Sequence, residues 1–556
     1  VLDHFNKTFD FAKSQMGSAQ EIALRLTPLK EVYYTHDTTF DFNPKGHRET
    51  NYVLLGIAFL ILFIAGINFT NLTTSLIPLR LKTINTHRVL GCSIYKLQAI
   101  SLIESIVICL ISYILALFIV NDLSYTPIAN WVDADIRLSQ YKGLILLTAL
   151  IAILTGCLAG LYPAIRSTSY APALVLKGSF GLSPKGKKVR VALIGFQYTV
   201  SIALIIVTLF MGLQNHFMTS SEQLGFNKDQ VAIVNLTPEI YAKHKPQYIQ
   251  KLKDYPGIED VAFSVYELSK EDDMIDLEYA RHEDKDVFFK VFYASENFLS
   301  VMDIQVEEGR DFTREDLNKA QSDYIINPAA ERDFHLHPGD RFNDRTVLGV
   351  SKDFRFNSCR IASSPFVFAL NNDIPNPKLV SYIRFNSKTN LQEAVAHVRE
   401  TLKEIDPTFP FEISFYNTIL NNLYQKEQTL GKLISLFGIM AILISIVGVF
   451  GLVLFETQYR RKEIGIRKIN GATTGQILLM FNKTYIRIVS VCFIISIPIA
   501  WMGTQQWLEN FAYKTPLHLW VFIVAFLIIL SVTIGTVTFR NWQAANENPV
   551  NSVKSE

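Results

Sequence analysis

The sequence predicts an α-helical polytopic membrane protein, with seven spans present and eight inferred, that carries a mixed α/β external domain. Three observations predict it: seven apolar runs of membrane-crossing length, a basic segment that recurs at an offset of 380 residues, and an acidic, strand-rich stretch over 214–429.

The runs are approximately Tyr52–Leu76, Ala99–Val120, Gly143–Leu161, Val191–Leu213, Leu433–Phe455, Tyr485–Met502 and Leu517–Phe539. About 20 residues of helix cross the ~30 Å hydrocarbon core. One such run is often a buried helix of a soluble protein; seven are not.

Charge sets the orientation, because cytoplasmic segments collect Lys and Arg. Residues 80–98 hold four basic residues (Arg80, Lys82, Arg88, Lys96) and no acidic one, 166–190 hold six and none, and 456–484 hold six against two. These three segments are assigned to the cytoplasm. Alternation then places residues 1–50, 121–142, 503–516 and the long stretch 214–429 outside. The long stretch carries 24 basic and 35 acidic residues, so the overall charge of +2 is the sum of −11 there and +13 elsewhere. That balance excludes a polybasic nucleic-acid binder and an acidic disordered chain.

Five cysteines (Cys92, Cys109, Cys157, Cys359 and Cys492) show no CxxC pair and no metal-ligand spacing. They support neither a disulfide framework nor a zinc site.

The repeat decides the architecture. Lys82–Ser93 aligns without gaps on Lys462–Thr473, each copy lying between two spans. Pro172-Ala173 and Pro549-Val550 follow the third span of each trio at an offset of 377. The chain is thus divided into 1–50, the C-terminal remnant of a first external domain; 51–180, a first three-span domain; 181–213, a basic cytoplasmic linker and linking span; 214–429, a second external domain; and 430–556, a second three-span domain. Completing the symmetry calls for a cytoplasmic start, one further span and most of an external domain ahead of Val1.

Within 214–429, strands are expected at Val231–Leu236, Val287–Tyr293, Tyr324–Asn327, Arg345–Val350, Pro365–Leu370 and Leu379–Phe385, which are rich in β-branched and aromatic residues. Helices are expected at Tyr248–Asp254 and Leu391–Ile405, the latter started by Asn390 and stopped by Asp406-Pro407.

Several patterns invite chemistry and are outweighed by plainer readings. Gly181–Lys188 nearly matches a phosphate-binding loop, but Lys188 stands where Ser or Thr would hold Mg²⁺, no strand precedes it, and Pro184 removes a backbone donor. His335 and His337 with Asp333 and Asp340 offer metal donors, yet read as a surface turn. The acidic run Glu271-Asp272-Asp273 with Asp276 and Glu278 lacks the spacing of a calcium loop and reads as a solvated face. Glu104, inside the second span, raises a proton relay; without an acidic counterpart in the repeat, where Thr484 stands, it reads as a snorkelling carboxylate. Gly156-x-x-x-Gly160 permits close helix packing.

The Lys462–Thr473 element says more. Arg460, Arg461, Lys462, Arg467 and Lys468 surround Ile464 and Ile466, and a Gly471-Ala472-Thr473-Thr474-Gly475 break follows. Charge alone suits lipid headgroups; the interspersed apolar residues suit a partner's groove.

Glu463–Thr473 resembles the signature of FtsX-like permeases, the membrane subunits of MacB-like ABC transporters. Gly160–Ala164, Ala171-Pro172, Asn548-Pro549-Val550, Val347–Phe354 (similar to the end of that family's periplasmic core domain) and Trp507–Tyr513 (similar to its duplicated eight-span versions) carry the same resemblance. It implies a non-enzymatic permease subunit in a bacterial inner membrane. No cofactor would be bound by this chain, ATP being handled by a cytoplasmic ABC ATPase dimer. Other implied partners are the lipid bilayer and a periplasmic adaptor, outer-membrane component or hydrolase, with no nucleic acid. ATPase closure would push the cytoplasmic elements and move the periplasmic domains, exporting or extracting a peptide, lipoprotein or hydrophobic compound. The alternative is a transmembrane regulator of a periplasmic cell-wall hydrolase; a proton-coupled carrier is a third class. The ATPase-coupling residues implied are Glu463, Ile464, Gly465, Arg467, Lys468 and Gly471 in the second copy and Arg88 and Gly91 in the first. Thr83, Asn85 and His87 replace Glu463, Gly465 and Arg467 there, so the second half is expected to couple more strongly.

Overall fold

The computed structural model describes residues 27–34, 48–126, 129, 137–169, 184–220, 224–269, 276–282, 285–319, 321–370 and 379–546. Pro172-Ala173, Gly181–Ser183, Glu271–Asp273 and Pro549-Val550 lie outside them. Residues 1–59 make a unit of their own, in which Leu29–Val32 is one helical turn and Asn51 Nδ2 donates to the Tyr34 hydroxyl at 3.2 Å.

All seven expected spans are helices long and apolar enough to cross a membrane. The helices are α1 (Arg48–Val89), α2 (Ile94–Leu123), α3 (Lys142–Thr168) and α4 (Pro184–Thr219), then α8 (Gln425–Tyr459), α10 (Thr474–Leu508) and α11 (Leu519–Asn546), with α5–α7 and α9 introduced below. Helix α4 begins at Pro184, ahead of its apolar span, which runs Val191–Thr219.

Small residues let the first three helices pack. A Cβ on Gly160 would fall 2.5 Å from the Ser105 hydroxyl, and one on Gly156 would fall 3.0 Å from the Ile106 Cα, so the GxxxG face of α3 lies directly on α2. Thr70 Oγ1 on α1 donates to the Ala159 carbonyl at 2.8 Å.

The second set is a four-helix bundle of α4, α8, α10 and α11. Helix α10 shows why: Ile477, Phe481, Tyr485, Val489, Cys492, Ser496, Ala500, Thr504 and Leu508 recur every three or four residues and are all buried, forming one continuous stripe at helical period. Polar pairs cross the bundle at Ser201 Oγ and Ser445 Oγ (3.0 Å), Thr533 Oγ1 and Tyr198 Oη (3.0 Å), and Thr457 Oγ1 and Asn541 Oδ1 (2.8 Å).

Between α4 and α8 the chain forms a mixed sheet of eleven strands: β1 (Val231–Leu236), β2 (Ile258–Ser264), β3 (Asp276–His282), β4 (Lys285–Ala294), β5 (Val306–Gly309), β6 (Tyr324–Ile326), β7 (Arg341–Phe342), β8 (Arg345–Ser351), β9 (Phe366–Leu370), β10 (Leu379–Phe385) and β11 (Ile413–Phe415). Their order is β11-β1-β10-β2-β4-β9-β6-β8-β5, with β3 on β4 and β7 on β8. The β1 and β10 pair is antiparallel (Ile233 opposite Tyr382), and β4 and β9 run parallel (Phe292 opposite Phe368).

Alternation sends Val231 and Ile233 into one core with Phe292, Phe298 and Phe368, while Ala232, Val234 and Leu236 enter another. The second core is roofed by α5 (Lys245–Lys253) and α6 (Leu391–Ile405) through Tyr248, Leu252, Ala394, Val398 and Leu402. Burial on both faces explains why β1 and β10 are mostly apolar rather than strictly alternating. Helix α7 (Tyr416–Leu423) returns the chain to α8.

Asp276 and Glu278, read in the sequence as part of a solvated face, lie in β3, and Glu278 accepts from the Tyr293 hydroxyl at 2.6 Å. Two sequence expectations change. Glu104 has a partner, because Arg80 Nη1 lies 2.8 Å from its Oε2. Among the described residues, the convergent metal-type donors are Glu308, Glu331 and His337 rather than His335, Asp333 and Asp340; Glu308 and His337 are exposed, and His337 Nδ1 lies 3.5 Å from Glu331 Oε1 as a carboxylate–imidazole pair.

Asp316 is a heavily bonded carboxylate of the domain. Its buried oxygens take both Arg310 guanidinium nitrogens (2.7 and 2.8 Å), the Thr313 amide and hydroxyl, and Lys319 at 3.0 Å. The Arg310 guanidinium first, then these other donors, hold its pKa well below the usual carboxylate range. A depressed pKa contributes stability that is complete above the unfolded value near 3.9 and is lost as pH falls through the folded one. Asp316→Asn is therefore expected to destabilise the domain by about 2 kcal/mol at pH 7. The deficit relative to wild type should stay constant from pH 7 to 5 and shrink below about pH 4, as followed by the domain's unfolding transition.

Candidate coupling site

Helix α8 ends at Tyr459, Arg460 leaves helical geometry (φ −93°, ψ 9°), and a separate nine-residue helix, α9 (Arg461–Ile469), follows. Gly471 then takes φ +88°, a left-handed backbone that disfavours a Cβ, and closes α9. The amides of Asn470, Gly471 and Ala472 donate to the carbonyls of Ile466, Lys468 and Arg467. Thr473 and Gln476 cap each other's backbone N–H at the start of α10.

The first copy makes the same turn. Gly91 has φ +90°, and the amides of Leu90, Gly91 and Cys92 donate to Thr86, Arg88 and His87, each 380 residues before its counterpart. Ser93 caps α2 through the Lys96 amide. One feature differs: α1 runs unbroken to Val89, so the first copy is the end of a 42-residue helix and not a separate one.

The named residues fall into three environments. Ile464 and Gly465 are buried against the bundle; Ile466, Ile469 and Arg467 are exposed; Glu463 and Lys468 are half-buried. Arg467 Nη2 lies 2.8 Å from Glu463 Oε1, one turn earlier. Arg88 is turned elsewhere: its Nη1 donates at 3.1 Å to the Thr168 carbonyl, at the C-terminal end of α3 where a cation is favoured. The basic residue at the foot of each half is also anchored, Arg80 on Glu104 and Arg460 on Glu456 at 3.0 Å.

Sequence reasoning missed the seam between the halves. Asn68 on α1 donates to the Ile444 carbonyl on α8, and a Cβ on Gly448 would lie 2.1 Å from Asn68 Oδ1. A Cβ on Gly451 would lie 2.6 Å from Leu72 Cδ1. Asn68 and Gly448 are themselves 380 residues apart, so the two copies meet at equivalent positions. The available signal was an Asn and a Gly at one register of the two spans.

These features define a polytopic membrane protein built from two copies of one span–turn–span–span unit, with an α/β domain inserted ahead of the second. Residues 55–172 and 435–549 each match the family model described as FtsX-like permease C-terminal. Each half of the chain thus carries a region similar to the FtsX-like permeases, and the chain is a multi-pass inner-membrane protein.

It is 25% identical over 212 residues to the macrolide export ATP-binding/permease protein MacB of Aggregatibacter actinomycetemcomitans, a stretch covering 36% of this chain and 32% of that protein. The MacB of Neisseria gonorrhoeae is 25% identical over 223 residues, covering 38% and 34%. The matches thus span about a third of these relatives' own length. Among solved structures, the periplasmic region of MacB from Actinobacillus actinomycetemcomitans is 15% identical, covers 36% of this chain and 94% of its own, and has a TM-score of 0.27. The extracellular domain of YknZ from Gram-positive bacteria is 15% identical, covers 33% and 99%, and has a TM-score of 0.25.

Gly471 has open space around a built Cβ, so a substitution there meets backbone strain alone. Gly471→Ala is expected to weaken the turn by about 1 kcal/mol, seen as roughly 5-fold faster hydrogen exchange of residues 461–473.

Proposed function

We propose that the chain is the permease subunit of an ABC transporter and that a cytoplasmic ATPase, carried on a separate polypeptide, acts on it through α9. The exposed edge of α9 supports this reading. Ile466 and Ile469 stand out beside the Arg467–Glu463 pair, while Ile464 fastens the other face to the bundle. An apolar ridge flanked by charge suits a groove on a partner. A helix clamped on one side cannot move without moving its neighbours.

The stroke then reaches the external domain along α8 and α10. At 35 residues each and 1.5 Å per residue they extend about 52 Å, well past a ~30 Å hydrocarbon core. The class of cargo proposed is a peptide, lipoprotein or hydrophobic compound exported or extracted on the external side. Arg88, bonded within its own half, is assigned to holding α1 on α3, so the second copy carries the stronger coupling.

The test is ATP hydrolysis by the ATP-binding subunit that purifies with the chain, measured with both in nanodiscs. Arg467→Glu is expected to cut permease-dependent stimulation at least ~10-fold, equivalent to about 1.4 kcal/mol of lost docking, with Arg88→Glu affecting it less. Stimulation that survives Arg467→Glu but not Arg88→Glu overturns the assignment of the two copies; failure of any ATP-binding subunit to respond to the chain overturns the function.

A further inference from the structure

The external domain also touches the membrane helices through a loop remote in sequence from where the chain enters and leaves it. The loop 352–365, between β8 and β9, is seated on the external end of the second bundle. The Tyr513 amide, in the α10–α11 loop, donates to the Cys359 carbonyl at 3.1 Å, and the Tyr513 hydroxyl accepts from the Ser363 amide at 3.1 Å. The Arg355 guanidinium lies 4.1 Å from the Tyr513 ring centre. Gln214 of α4 pins the same loop, donating to the Tyr513 carbonyl (3.0 Å) and accepting from the Thr515 amide (2.8 Å).

Arg360 occupies the centre of this junction. Its Nε donates to Glu427 Oε1 at 2.7 Å, in the first turn of α8, and its guanidinium lies 4.7 Å from the centre of the Phe511 ring, three residues beyond α10. Glu427 is buried, and a buried carboxylate holds a charged partner strongly because losing it strands the charge. The flat guanidinium is what allows one side chain to bond a carboxylate edge-on and stack on a ring at once.

The chain order gives this bridge its meaning. Helix α9 joins the cytoplasmic end of α8 to the cytoplasmic start of α10, and the opposite ends of the same two helices lead to Glu427 and to Phe511. We propose that Arg360 is the positioning residue at which a shift of α8 against α10 becomes movement of the external domain. The proposal rests on the ATP-driven function argued above and names where its stroke crosses from helices to sheet. Loop 352–365 is suited to the task, since it continues into β8 and into β9, whose five residues are all buried.

The experiment uses the full chain in nanodiscs with the ATP-binding subunit that purifies with it, and follows hydrogen exchange with and without ATP. Wild type is expected to show ATP-dependent changes in 509–518 and in 345–370 together. Arg360→Ala is expected to keep ATP turnover within ~2-fold and the response of 509–518, but to lose at least ~5-fold of the response in 345–370. Arg360→Lys, which keeps the ion pair without the stack, should recover part of it. Phe511→Leu supplies a second variant that leaves the ion pair in place, and is expected to weaken the response in the same direction. A full wild-type response of 345–370 in both Arg360→Ala and Phe511→Leu overturns the proposal while leaving the ATP-driven function standing. No ATP-dependent change in either segment of the wild type overturns the function and this proposal with it.

Discussion

Inside a hydrocarbon layer a peptide N–H or C=O without a partner costs several kcal/mol, so a chain can cross only as helix or closed barrel. That constraint shapes this protein more than any single contact. It makes each of the seven crossings a helix, and it makes the ends of helices the places where the backbone is free to turn. The glycine turns at 91 and 471, the capped starts at Ser93 and Thr473, and the junction under the external domain all lie at such ends. Within the spans, association depends on close approach and on polar pairs, as in Gly160 against Ser105 and Thr533 with Tyr198.

The external domain obeys the other rule of burial. Water surrounds it, so apolar area drives its folding, and its sheet is covered by helices on the face of β1 and β10 that carries Ala232 and Ile383. Its charged groups can therefore be held by local bonds, as around Asp316. The two parts answer to different solvents, and the loop 352–365 reconciles them by using arginines: Arg355 lies over the Tyr513 ring, and Arg360 serves both the Phe511 ring and the Glu427 carboxylate.

Much of the fold was legible in the sequence because strong patterns are local. The limits of β1, β10 and α6 match their sequence readings residue for residue, the strands from segments rich in β-branched and aromatic residues and the helix from Asn390, whose side chain accepts the Gln392 amide. Strand β2 was not legible: Ile258-Glu259-Asp260-Val261 carries two acids, and only pairing with β10 decides it. Of the candidate coupling residues, identity was legible and environment was not. Ile464 and Ile466 are equivalent as letters, yet the register of α9 on the bundle buries one and exposes the other. The repeat likewise suggested two similar elements, whereas helix α1 continues through the first and α8 stops before the second, with Arg460 out of helical geometry between α8 and α9.

The crossing of Asn68 over Gly448 carries a consequence for how duplicated proteins diverge. Two identical subunits related by a two-fold axis must present the same residue to that axis from both sides. They would bring Asn against Asn, or leave Gly facing Gly. Joining the copies in one chain removes that obligation: one side supplies an amide that reaches a carbonyl, and the other supplies the hollow that receives it. The covalent link thus permits a lock-and-key contact at the one place where symmetry forbids it, and each half is free to specialise outward from there.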